Sequence, residues 1–271
     1  MSGAVAVNSI VFNLGRMIGP ALGGWTIAAG QPEIIFGYNA VTFLTFATVI
    51  AALASKELHP RREGEADDTV SLSGPRAVLT SLGAANLRAF GLFAAIAVSI
   101  RPIFELLPAF VDSGGQERID PAITFSLLTS IIGLGAMIGA GIAFVLLPRL
   151  KHTFFAALGS LAAALAALCF LLVPGIVMAG IGLAILSGAV LANGIATQVI
   201  LQTGVPEQVR GRVLALYTVT FRGLPAIGTF MVGFVGEMVS LRMTFSILAA
   251  GVMMLSIVSF RKLRRVSLPL P

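Results

Sequence analysis

The chain has 271 residues, 57% hydrophobic and 11% charged, with a mean hydropathy of +0.97. These values exclude an ordinary soluble domain and place the chain among polytopic membrane proteins. The net charge of +6 comes from basic residues in short segments between apolar runs, which orients a membrane protein and argues against a nucleic-acid-binding face.

The first apolar run covers about residues 3–28, long enough to cross a bilayer. It has neither a basic leader nor a small-residue cleavage site, so it is expected to remain as a helix and not to be removed as a signal peptide. Its centre reads Gly15-Arg16-Met17-Ile18-Gly19-Pro20-Ala21-Leu22-Gly23-Gly24. Glycines four apart share one helical face and admit close backbone approach, while Pro20 removes an intrahelical hydrogen bond and bends the rod. Arg16 falls near mid-membrane, where an arginine costs roughly 2.5 to 3.5 kcal/mol, so it is expected to face protein or a water-filled cavity.

A second run, about residues 33–54, precedes Lys56 to Leu87. That segment holds His59-Pro60-Arg61-Arg62-Glu63-Gly64-Glu65 and Asp67-Asp68, the content of a solvated linker. Six further runs follow at about 88–110, 121–147, 153–173, 176–201, 213–236 and 243–260, making about eight in all. If they alternate, Lys56, Arg61, Arg62, Arg76, Arg88, Arg149, Lys151, Arg210, Arg212 and the basic residues of 261–265 share one side, against Arg118 and Arg242. The linker and the C-terminus are therefore expected to be cytoplasmic. Trp25 and Tyr38 then fall near the outer interface and Tyr217 near the inner one.

Several polar groups lie inside the apolar runs. Arg101-Pro102-Ile103-Phe104-Glu105 puts opposite charges four residues apart on one helical face beside a proline. The pair admits two readings: mutual neutralisation that permits insertion, or a titratable carboxylate, Glu105, in a transport cavity. Arg222 sits about 14 Å from the cytoplasmic end of its span, with no acid in the same run. Asn13, Asn39, Asn193 and Gln198 are amides within spans, of which Asn13, Asn193 and Gln198 are cavity candidates. Such amides more often join helices than touch substrate. Gly133, Gly135, Gly139 and Gly141 offer a smooth face on which Gly15, Gly19 and Gly23 can pack.

An enzyme is not expected. His59 and His152 fall in loops, and no nucleophile motif with an intramembrane histidine and no nucleotide-binding phosphate loop occurs. Cys169, the single cysteine, lies in an apolar run, so neither a disulfide framework nor a thiolate metal site is expected, and no cofactor is implied.

The pattern Gly15, Gly19, Pro20, Gly23 and Gly24 resembles the antiporter signature on the fifth helix of drug-exporting major facilitator superfamily transporters. Arg222-Gly223-Leu224-Pro225-Ala226-Ile227-Gly228 echoes it, as an internal repeat of two six-helix halves requires. Pro206-Glu207-Gln208-Val209-Arg210-Gly211-Arg212 and the phrase around Asn8, Ser9, Phe12 and Asn13 are similar to the transmembrane secretion effector branch, which includes enterobactin exporters. The loop Leu147-Pro148-Arg149-Leu150-Lys151-His152 departs from the superfamily's Gly-x-x-x-Asp-Arg-x-Gly-Arg, so a gate built on that charge network is not carried over.

The resemblance implies an all-α membrane protein matching helices five to twelve of a twelve-helix fold. Residues 1–55 would be the last two helices of an N-terminal bundle, 56–87 the central cytoplasmic linker, and 88–271 a C-terminal six-helix bundle with a basic tail. It implies a multi-pass protein of the cytoplasmic membrane, surrounded by lipid, that exports a small, partly apolar, siderophore-like or drug-like molecule by alternating access, with protons as coupling ion. Glu105, Arg101, Arg16 and Arg222 are the transport and coupling candidates. The first four helices of the family fold are expected to be missing ahead of Met1. The alternative expectation is a truncated, non-transporting fragment or an assembly component.

Overall fold

The structure, a computed structural model, describes residue 26 and residues 33–54, 82–112, 120–205 and 207–266. Asn13, Gly15, Arg16, Gly19, Pro20, Gly23 and Gly24 lie outside the described residues, as does most of the expected linker. Among the described residues every regular element is a helix: α1 Glu33–Ala54, α2 Ala84–Ser99, α3 Pro102–Glu105, α4 Leu107–Asp112, α5 Pro121–Leu146, α6 His152–Leu172, α7 Ile176–Thr203, α8 Glu207–Met238 and α9 Leu241–Val266. Among the described residues six stretches are long and apolar enough to cross a membrane: Ala84–Glu105, Pro121–Leu146, His152–Leu172, Ile176–Thr203, Gly211–Met238 and Leu241–Arg261. They correspond to the last six runs read from the sequence. The 22-residue α1 stands where the second run was expected, and its apolar side chains, such as Phe36, Phe43 and Leu44, are exposed.

Helix ends follow local chemistry. Asp120 caps α5, accepting a hydrogen bond from the Ala122 N–H at 2.7 Å, and Pro121 follows in the first turn, where an N–H would have no helical partner. Between α6 and α7 the chain reverses through Val173, Pro174 and Gly175, with Gly175 at φ 104°, a conformation that favours glycine. Ala84 opens α2 inside the segment read as linker, four residues ahead of Arg88.

One span is broken where the sequence sets a proline beside Arg101. The run at 88–110 is divided into α2, α3 and α4, because Pro102 and, in the first turn of α4, Pro108 have no N–H to continue the ladder. The N–H groups of Ile100 and Arg101 both return to the Ile96 carbonyl at 3.0 Å, a widened turn that ends α2. α8 keeps its helical course through Pro225.

The bundle is built around α7, which packs extensively against both α5 and α6, while α9 lies along α6 and α8 along α2. The α5–α7 seam consists of small residues. A Cβ on Gly135 would overlap the backbone of Ala184, and one on Gly139 the backbone of Gly188. The partner positions rise together along the chain, so α5 and α7 run parallel. On the other face of α7, Gly159 meets Asn193 and Gly182 meets Phe170, an antiparallel register. Gly135 and Gly139, on which Gly15, Gly19 and Gly23 were expected to pack, are thus covered by α7. The reason is that α7 carries its own small-residue face at matching helical spacing. Gly141 lies off this seam with open space around it.

Candidate functional site

The most chemically distinctive region is where the broken α2–α3 span crosses α8. Arg101, half-buried at the break, reaches across to α8, where its Nη1 donates to the Phe221 carbonyl and its guanidinium carbon lies 4.0 Å from the Phe221 ring centre. The target carbonyl has a local explanation. In an α-helix the carbonyl of residue 221 accepts from the N–H of residue 225, and here residue 225 is proline. The guanidinium, a fixed planar donor set, supplies a hydrogen bond to that carbonyl and gains cation–π contact with the ring.

Aromatic side chains extend the site inward. Phe93 of α2 stacks on Tyr217 of α8 with centroids 5.0 Å apart and on Phe221 at 6.1 Å. The Tyr217 hydroxyl donates to the Gly194 carbonyl of α7 at 3.2 Å, an approach for which Gly194 leaves room. Tyr217, read from the sequence as an interfacial ring, therefore takes part in bundle packing. On the opposite side of the break Gly228 of α8 is pressed so closely onto α2 that a Cβ there would overlap the Val98 carbonyl and crowd Pro102. Three helices thus meet around one cation, three stacked rings and two prolines.

The remaining sequence candidates are dispersed. Glu105 ends α3 and is exposed, while Arg101 one turn earlier is engaged with α8. Arg222 is exposed on α8 beside Phe221. Gln198 is half-buried on α7. Asn193 is fully buried at 0% exposure and donates through Nδ2 to the Ala156 carbonyl at 2.6 Å and to Ser160 Oγ at 2.9 Å, both on α6. Its Oδ1 and the Thr197 hydroxyl one turn further on are buried without a protein hydrogen-bond partner. Phe93, Phe221, Pro225 and Gly228 were not singled out as site residues by the sequence. Pro225 was the available signal, since a proline inside an apolar run marks a carbonyl that another group must satisfy.

Comparison with known proteins gives a consistent result. A family model described as transmembrane secretion effector matches residues 1–268. The enterobactin exporter EntS of Escherichia coli O1:K1 / APEC is 27% identical over 269 residues, covering 97% of this chain and 62% of that protein. The enterobactin exporter EntS of Escherichia coli O81 (strain ED1a) is 27% identical over the same length, with the same coverage. The chain therefore spans 62% of the length of these relatives.

Proposed function

Because the chain belongs to the transmembrane secretion effector family, we propose that it forms part of a secondary transporter that exports small, partly apolar molecules, siderophore-like or drug-like, by alternating access. Similarity to enterobactin exporters supports the direction of transport and makes enterobactin the first substrate to test. The observation that carries the reading is the charged break in the α2–α3 span, where Arg101 lies within a cluster of aromatic side chains. An arginine retained in an apolar span marks a functional position by its insertion cost, and apolar rings beside a cation suit a partly apolar molecule.

In this reading residues 88–271 are the C-terminal bundle, 56–87 the cytoplasmic linker and 1–55 the last helices of the N-terminal bundle, in the cytoplasmic membrane. Gly15, Gly19, Pro20, Gly23 and Gly24 form a tight-packing, kinked helix at the junction of the two halves. Glu105 exchanges protons, and Arg16 and Arg222 contribute charge to the pathway. Asn13 and Gln198 line it, and no cofactor takes part. Export requires partner helices to complete the second wall of the cavity.

The test is efflux of enterobactin from cells lacking their own exporter, normalised to protein in the membrane. It is run on the chain alone and on the chain joined to the preceding helices of a relative. Gradient-dependent efflux by the joined protein supports the reading. Its absence from both, at normal accumulation, refutes enterobactin as substrate, and absence across a panel of apolar drugs and siderophores refutes export.

A further inference from the structure

Two prolines lie in the segments that meet at the α2–α8 crossing, and each removes the N–H that would have bonded the carbonyl four residues before it. For Pro102 that carbonyl belongs to Val98, and for Pro225 it belongs to Phe221. Each carbonyl is met by the opposite chain segment. Arg101, next to Pro102, donates to the Phe221 carbonyl. Gly228, three residues after Pro225, lies directly against the Val98 carbonyl and the Pro102 ring. A backbone carbonyl in hydrocarbon strongly requires a donor, and a glycine Cα–H packed on a carbonyl supplies a weak one.

We propose that the two breaks form one reciprocal hinge, in which Arg101 is a positioning residue that supplies to α8 the hydrogen bond that Pro225 removes. The bend in each helix is held by the other. Gly228 is required because only a residue without a side chain allows the approach that brings Arg101 to Phe221. Straightening or further bending of either helix separates both contacts, so α2 and α8 change shape together. The ring contact alone does not account for this arrangement, since a guanidinium can stack on Phe221 without directing Nη1 to its carbonyl.

The inference is independent of what is transported and is tested without a substrate. Arg101→Met removes the donor while keeping a long, unbranched side chain, and Pro225→Ala restores the backbone N–H. In purified protein Arg101→Met should lower the apparent melting temperature by roughly 4–8 °C, the shift expected for losing a charge-assisted hydrogen bond to a part-buried carbonyl. In the Pro225→Ala background the same change should cost less than half as much, because the restored N–H at position 225 then serves the Phe221 carbonyl. An equal loss in both backgrounds overturns the role of Arg101. If Arg101→Met fails to accumulate, recovery of accumulation by added Pro225→Ala supports the inference, and failure to recover overturns it. Hydrogen exchange tests the pairing: Arg101→Met should raise exchange on both sides of the crossing, in residues 98–106 and 218–229. A rise confined to one helix overturns the shared hinge.

Discussion

Adding one methyl group to either of two glycines on α5, less than one turn apart, should shift stability in opposite directions. Gly139 lies on the α7 seam, where a Cβ would fall within the backbone of Gly188, and Gly141 faces open space. Both substitutions remove a helix-interior glycine, which by itself is worth about 0.5–1 kcal/mol in favour of alanine. At Gly141 nothing opposes that gain, so Gly141→Ala should raise the apparent melting temperature by about 1–4 °C. At Gly139 the obstacle is backbone, which cannot rotate aside like a flexible side chain, so α5 must retreat from α7. Overpacking of this kind costs about 1–3 kcal/mol, which outweighs the helical gain, and the melting temperature should fall by several degrees, up to about 8 °C. The measurement is thermal unfolding of the detergent-solubilised chain, followed by loss of folded monomer on size exclusion. Gly139→Ala and Gly141→Ala raising stability alike would refute the α5–α7 seam.

The other predictions concern polar groups and orientation. Asn193→Leu should lower stability by about 1 kcal/mol, given that interhelical hydrogen bonds in membranes average about 0.6 kcal/mol and Asn193 makes two; unchanged stability with reduced efflux would instead make it a cavity residue. In the joined transporter, Glu105→Gln keeps the shape and removes titration, so a coupling role predicts intact substrate binding with loss of pH-gradient-driven efflux. Unchanged gradient-dependent efflux per molecule would remove Glu105 from the mechanism. A cysteine placed at Gly115 should be labelled from outside intact cells and one at Gly64 should not, because the basic residues around 64 hold it inside; the reverse pattern would overturn the orientation.

Much of the fold was legible from residues 33 onward because membrane insertion depends on local properties. A bilayer selects by length and apolarity, so the runs at 121–147, 153–173 and 176–201 differ from α5, α6 and α7 by at most two residues at either end. Asp120-Pro121 and Pro174-Gly175 likewise mark helix ends through capping and backbone freedom that act within a few residues. Pro102 announced a bend, whereas Pro225 was read only as part of the repeated phrase from Arg222 to Gly228. Which group answers the carbonyl that each proline leaves is a tertiary matter. Arg101 was read beside Glu105, four residues away, whereas its guanidinium is held by Phe221, 120 residues along the chain. Gly135 and Gly139 declared a face fit for close approach, but Ala184 and Gly188 present an equally small surface, and only packing selected α7 as the neighbour. Asn193 is the same in kind, an amide whose partners on α6 are chosen by the antiparallel contact of two helices. The physical distinction is range: hydropathy, caps and prolines act on their own helix, while hydrogen bonds and glycine contacts between helices depend on which surfaces the assembled bundle brings together.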